Sequence, residues 1–259
     1  MSPALLSMHH ALPQHIILGV SVLALSWDDA IQHLHTLIDE KRFTLVTWLN
    51  AHNSNLVEDD IRFRNALDEF LVLPDGVGVD IAAKLLHGKT FPNNLNGTDF
   101  TPALLRALIP PLRIGLLGTR PGVVEKAAES LKENAPQHEY RVISHGFFAP
   151  SDEPRILQSL ADYHPHILLV AMGVPRQELF MREKLTAEHC VLAFGVGALL
   201  DFRAGAVLRA PRWMQKLRLE WLYRFSQEPK RLWRRYVLGN PRFLFRVLRT
   251  LATGVRVSR

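Results

Sequence analysis

Six short apolar bursts rich in β-branched residues and leucine punctuate the chain at 43–49, 70–73, 113–117, 140–144, 167–171 and 191–194. Most of them run directly into a polar or Gly-rich loop: Asn50-Ala51-His52-Asn53, Pro74-Asp75-Gly76-Val77-Gly78, Gly118-Thr119-Arg120-Pro121-Gly122, Gly173-Val174-Pro175-Arg176-Gln177-Glu178 and Gly195-Val196-Gly197. Stretches of helical period lie between them. The first helix is capped by Ser26 and buries a stripe of Ala30, Ile31, Leu34, Leu37 and Ile38. Strands that alternate with helices predict an α/β fold, a Rossmann-like parallel sheet flanked by helices. The loops of such a sheet gather at its carboxyl edge, where ligands bind.

The charge is divided unevenly. Of 31 Lys and Arg and 25 Asp and Glu, fifteen basic residues but only Glu220 and Glu228 fall within residues 203–259, a net charge of +13. The remaining 16 basic and 23 acidic residues leave −7 on the body. Trp213, Trp221, Tyr223, Trp233, Tyr236, Phe243 and Phe245 interleave with the tail's arginines, a composition suited to an anionic surface or ligand. The expected organisation is therefore an α/β core over residues 1–205 and a basic amphipathic helical C-terminal appendage over 206–259, in which Pro211 interrupts the pattern before two or three short helices.

Several classes are excluded. No apolar run approaches the roughly 18 residues that span a bilayer, and the longest, 191–200, is broken by Gly195 and Gly197. The first fifteen residues lack the pattern of a cleaved leader, and a single Cys190 fits a reducing cytoplasm. There is no Walker-type sequence, no His-Glu-x-x-His and no Asp-x-Asp pair for a divalent cation, and Gly195-x-Gly197 does not complete a dinucleotide fingerprint. No cofactor or metal is expected, so a diphosphate would have to be held by arginines. His164 and His166 read as surface residues and Cys190 as a buried thiol. Asp75, at the end of a strand, serves either as a general base or as the cap of the following helix, and its position alone does not choose. Gln177, Glu178 and Asp201 equally fit plain helix starts and turns.

Taken in order, Pro74-Asp75-Gly76-Val77-Gly78, Asn96-Gly97-Thr98-Asp99, Gly173 to Glu178, Gly195 to Phe202, Arg209-Ala210-Pro211 and Leu219 to Arg224 with Glu228-Pro229-Lys230-Arg231 resemble the WecG/TagA/CpsF glycosyltransferases, family 26. The resemblance covers about residues 15–244. It implies an inverting, metal-independent enzyme that moves a hexose or N-acetylhexosamine from a UDP-sugar to a polyprenyl-diphosphate-linked saccharide during surface polysaccharide synthesis. It implies that Asp75 is the base and that Asn50, Asn94, Thr98, Asp99, Gln177, Gly195, Gly197 and Asp201 line the substrate pocket. It further implies that Arg224, Arg231 and Arg234 of the appendage neutralise the UDP diphosphate. Two positions depart from the family pattern: Asn94 replaces an arginine and Trp48 a threonine. Losing a cation argues against an acidic donor and for a neutral hexose.

The tail is also compatible with nucleic acid, because arginines among aromatics suit phosphates and stacked bases. The membrane reading is stronger. Leu217, Trp221, Leu222 and Phe225, then Leu232, Trp233 and Tyr236, recur at helical spacing beside basic residues, as an interfacial helix requires. The expected partners are thus the donor, the lipid-linked acceptor and an anionic membrane, with no nucleic acid, at the inner face of the plasma membrane; the sequence is compatible with a homo-oligomer. Arg242, Arg246 and Arg249 are expected to face the lipid.

Overall fold

A computed structural model describes residues 12–216 and 219–253, with the backbone alone for Arg212, Lys216 and Arg231. Leu217 and the extreme N-terminus therefore lie outside the described residues. The six expected strands form one parallel sheet, each within a residue of its expected ends: β3 (Thr44–Leu49), β4 (Phe70–Pro74), β5 (Arg113–Gly118), β6 (Glu139–Ser144), β7 (Ile167–Ala171) and β8 (Leu192–Gly195), in the order β4-β3-β8-β7-β5-β6. Two short strands before them, β1 (Gln14–Ile17) and β2 (Val20–Leu23), make an antiparallel hairpin that the sequence did not announce. Its turn, Leu18-Gly19, adopts positive φ at both residues as a tight hairpin demands, but without the Asn-Gly pair that usually advertises one.

Alternation along each strand divides the core. Val46, Trp48, Leu71, Leu73, Ile114, Leu116, Leu169 and Phe194 face one layer, formed by α1 (Trp27–Asp39), α5 (Gly97–Ala107), α6 (Val123–Asn134) and α9 (Leu199–Arg203). Leu45, Leu49, Phe70, Val72, Leu168, Val170 and Ala193 face the other. That second layer holds the hairpin with α2 (Ala51–Asp59), α3 (Ile61–Leu67), α4 (Val77–His87), α7 (Glu153–Tyr163) and α8 (Arg176–Lys184). Local chemistry starts these helices: Ser26 accepts from the amide of Asp29, Asn50 from His52 and Asn53, and Asp60 from Arg62 and Phe63. The chain leaves β3 toward the second layer but leaves its neighbour β8 toward the first. Oppositely directed exits open a crevice at the carboxyl edge.

The C-terminal stretch consists of α10 (Arg212–Lys216), α11 (Glu220–Gln227), α12 (Pro229–Trp233), a π-helical turn (Arg234–Leu238) and α13 (Gly239–Thr253). The last helix belongs to the body's packing. Phe243 and Val247 are buried in the second layer, where α13 lies against α2 and α4. Arg242 and Arg246, expected to face lipid, instead form ion pairs with Asp59 of α2, and Arg246 also donates to the carbonyl of Asn55. The reason is periodicity: the face that carries Phe243 and Val247 turns the neighbouring arginines onto an acidic helix. His164 and His166 also differ from expectation, since both are half-buried and bonded to backbone, His166 accepting from the amide of Arg113.

Candidate active site

A cleft of about 530 Å³ lies over the carboxyl ends of β3, β4, β5, β7 and β8. Asp75 follows β4 directly and its carboxylate opens into this cleft. It does not cap α4, whose cap position is Gly76 with no side-chain bond. Its Oδ2 accepts from Asn50 Nδ2 at 3.1 Å. Asn50 is itself locked, because its Oδ1 caps α2 by accepting from the amides of His52 and Asn53. The amide NH₂ is thereby aimed at the carboxylate. Asp75 is half-buried by surface exposure, yet protein surrounds it on the distance scale that governs desolvation. Burial raises its pKa, while the Asn50 hydrogen bond and the Arg235 cation act downward; Glu220 pushes it up and Arg224 down.

Two of the expected pocket residues, Asn94 and Asp99, are not among those that line the cleft. Asn94 lies away from the cleft wall and accepts from the Gly76 amide at 3.0 Å, bracing the turn that carries Asp75. Asp99 takes a two-pronged ion pair from Arg209, so its carboxylate is already engaged. Burial alone would raise the Asp99 pKa, but the hydrogen bonds and charge of Arg209 hold it below the usual range. Thr98 does line the cleft. Trp48, the second departure, forms part of its floor; the indole donates to the carbonyl of Leu95 and lies flush on Gly97, where a Cβ would meet the ring at 3.2 Å.

Under the opposite wall runs a buried polar chain. Gln177 accepts from the amide of Gly197 through Oε1 at 3.2 Å and donates to Glu178 Oε1 through Nε2 at 2.8 Å. Thr47 on β3 donates to that same oxygen at 2.8 Å. Gly195 closes the arrangement, since a Cβ there would stand 2.9 Å from Gln177 Nε2. Both ends of the Gln177 amide are thus occupied, Oε1 by the Gly197 amide and Nε2 by Glu178. Glu178 is fully buried and desolvation pushes its pKa up to about 7, with the bonds from Gln177 and Thr47 opposing. Its Oε2 has no hydrogen-bond partner among the described residues. Asp201, also on the cleft wall, accepts from the Thr119 hydroxyl.

Cationic groups enter from two sides. Arg224 of α11 reaches the cleft with its guanidinium 5.1 Å from the Phe202 ring centre, and Arg235 reaches it from the π-helical turn. Arg234, expected there, is exposed and is not among the residues that line the cleft. The side chain of Arg231 lies outside the described residues. Arg120 and Arg176 line the cleft from the loops after β5 and β7. His52 lines it too; burial, then the Arg235 charge, lowers its pKa to about 4, so the imidazole is neutral near neutral pH. Sequence reasoning passed over His52, Thr47, Thr119, Arg120, Arg176 and Arg235. The first five sat inside loops or strands it had marked, but single polar residues there carry no spacing signal.

The arrangement offers a carboxylate of raised basicity facing guanidinium groups across one cleft, which suits removing a proton at one end and receiving a phosphate-bearing leaving group at the other. A second cavity of about 460 Å³ lies at the amino ends of β3 and β4; it is more apolar and none of the candidate residues reach it.

Relatives agree in extent with this whole assembly. The chain is 29% identical over 222 residues to an N-acetylglucosaminyldiphosphoundecaprenol N-acetyl-beta-D-mannosaminyltransferase of Bacillus spizizenii, covering 85% of this chain and 84% of that protein. A protein of the same description from Bacillus subtilis is 28% identical over 214 residues, covering 82% of each. The model of the glycosyl transferase WecG/TagA/CpsF family matches residues 15–256, from the hairpin through the sheet to the end of α13, and the chain belongs to that family.

Proposed function

We propose that this glycosyltransferase moves a neutral hexose or N-acetylhexosamine from a UDP-sugar to a polyprenyl-diphosphate-linked saccharide, with inversion and with arginines in place of a metal. The two Bacillus relatives support the acceptor class, since the activity they are named for uses a diphosphoundecaprenol-linked sugar. One observation carries the chemistry: the Asp75 carboxylate, oriented by Asn50, shares a cleft with Arg224 and Arg235. The acceptor hydroxyl oxygen attacks the anomeric carbon from the side opposite the diphosphate while Asp75 takes its proton. The bond from the anomeric carbon to the diphosphate oxygen breaks, and UDP departs with the electron pair beside the two guanidinium groups. The raised pKa makes Asp75 a stronger base than an exposed carboxylate.

In this reading the acceptor's lipid stays in the inner leaflet of the plasma membrane, with α11, α12 and the π turn resting on its surface. Trp221, Leu222, Trp233, Val237 and Leu238 are exposed there beside basic residues, while no described helix is long and apolar enough to cross a membrane. Asp75→Asn keeps the shape and the Asn50 contact region, so it is expected to fold and bind UDP normally while transfer falls by about 100-fold or more. Transfer assays on the purified variant with and without chelator check both parts. Unchanged turnover in the variant removes Asp75 as base, and loss of turnover by the parent chain under chelation removes the metal-free scheme.

A further inference from the structure

Three of the ordered sequence motifs end at one ion-pair node that the transfer reaction does not use. Asp99 comes from Asn96-Gly97-Thr98-Asp99, Arg209 from Arg209-Ala210-Pro211, and Glu220 from Leu219-Glu220-Trp221. Arg209 donates through Nη1 and Nη2 to the two oxygens of Asp99, the second at 2.8 Å, and through Nε to Glu220 Oε1 at 3.1 Å. Asp99 is steadied in turn by Asn96, which donates to its Oδ2 at 3.1 Å and accepts from its amide. One planar guanidinium therefore joins the start of α5, on the body, to the first residue of α11.

That connection matters because α11 is only lightly anchored. Among the described residues none of its side chains is fully buried, Tyr223, Arg224 and Phe225 being half-buried, and its N-terminus has no side-chain cap. Among the described residues the helix is also tied by Arg224 over the Phe202 ring and by Trp221 edge-on to Tyr236 of the π turn. Glu220 and Arg224 stand one helical turn apart on the same face. Fixing Glu220 thus fixes both the rotation and the height at which Arg224 enters the cleft.

We infer that the Asp99–Arg209–Glu220 node is a latch: closed, it docks α11 so that Arg224 and the following Arg235 meet the diphosphate of the sugar nucleotide, and open, it withdraws them. Asp99, Arg209 and Glu220 are accordingly positioning residues, and the effect on the donor rests on the functional reading above. If opening reduces the docked population tenfold, donor affinity falls tenfold, while saturating donor pulls α11 back and restores full turnover.

The test uses the full chain and two variants, Asp99→Asn and Glu220→Gln, each removing one carboxylate without changing side-chain size. Amide hydrogen exchange across residues 220–238 is measured without ligand, UDP affinity by calorimetry, and KM for the UDP-sugar separately from kcat. The expected result in both variants is faster exchange in α11, UDP affinity weakened about tenfold and KM raised in proportion, with kcat within about twofold of the parent in Asp99→Asn; kcat is not read in Glu220→Gln, because that carboxylate also raises the Asp75 pKa. Unchanged exchange and affinity would overturn the latch. So would weakened affinity with unchanged exchange, which would make Asp99 a direct substrate ligand, or, in Asp99→Asn, a fall in kcat at unchanged KM, which marks a misfolded fraction. Faster exchange in variants of a parent chain that binds no UDP would uphold the latch and reject the donor assignment.

Discussion

At the scale of single residues, the neighbours of a side chain decide what its chemistry becomes. Glu178 and Asp75 are both carboxylates near one cleft, but Asp75 opens into it beside two arginines while Glu178 is sealed beneath it by Thr47 and Gln177. With its folded pKa near 7 against about 4.5 when unfolded, Glu178 is protonated in the native protein over that interval. Its contribution is complete below about pH 4.5 and is lost as pH rises to about 7, an effect on the order of 3 kcal/mol. Glu178→Gln keeps the shape and cannot ionise. The melting temperatures of variant and parent are expected to differ least near pH 4.5 and to diverge in the variant's favour by pH 7.5. A constant difference across that range would show that Glu178 does not titrate in this window. Nothing in the letters Gln177-Glu178 announced this division, because burial of the second residue depends on Gly195 and Thr47, which are far away in sequence.

At the scale of elements, sequence patterns located strands and helices better than they located the faces of the tail. The apolar bursts at β3 and β7 and the Ser26-capped stripe of α1 depend on neighbouring residues, and the structure follows them closely. The hairpin β1–β2 escaped because four-residue strands with a Leu-Gly turn give too little pattern to read. Helix α13 shows the opposite problem, a strong amphipathic signal whose apolar face has two candidate solvents, lipid and protein. Phe243 and Val247 choose protein. Truncating Phe243 to Ala should cost about 3 kcal/mol or more, lowering the melting temperature and raising exchange throughout α13. An unaltered thermal transition together with unaltered exchange would mean that the helix is not docked by this residue.

At the scale of the whole molecule, α13 docks by one face and leaves Leu244, Phe245, Leu248 and Leu251 exposed, while the proposed membrane surface centres on the shorter helices before it. Trp213, Trp221 and Trp233 are exposed on those helices, and Arg224 and Arg235 of the same segment reach the cleft. Removing the tail would take Phe243 and Val247 out of the core and bare the faces of α2 and α4 against which α13 packs, so deletion is a poor test of membrane binding. The double substitution Trp221→Ser with Trp233→Ser leaves that docking intact. It is expected to reduce recovery on phosphatidylglycerol-containing vesicles severalfold, and the parent should bind such vesicles better than pure phosphatidylcholine because each basic residue near an anionic leaflet contributes about 1 kcal/mol. Equal sedimentation of parent and variant would remove these tryptophans from the membrane surface.

The amino-acid sequence by itself determined the parallel sheet, its carboxyl-edge loops and the split between an acidic body and a basic end, because alternation, capping and net charge are properties of residues close together in the chain. Its ordered motifs also identified the family. Only the tertiary structure decided which members of those motifs meet: that Asn50 orients Asp75, that Asn94 and Asp99 brace loops instead of lining the cleft, and that Arg235 rather than Arg234 turns inward. The physical reason is that hydrogen bonds and ion pairs act over a few ångströms in space. Their partners here lie 18, 25 and 110 residues apart along the chain, where no local pattern can register them.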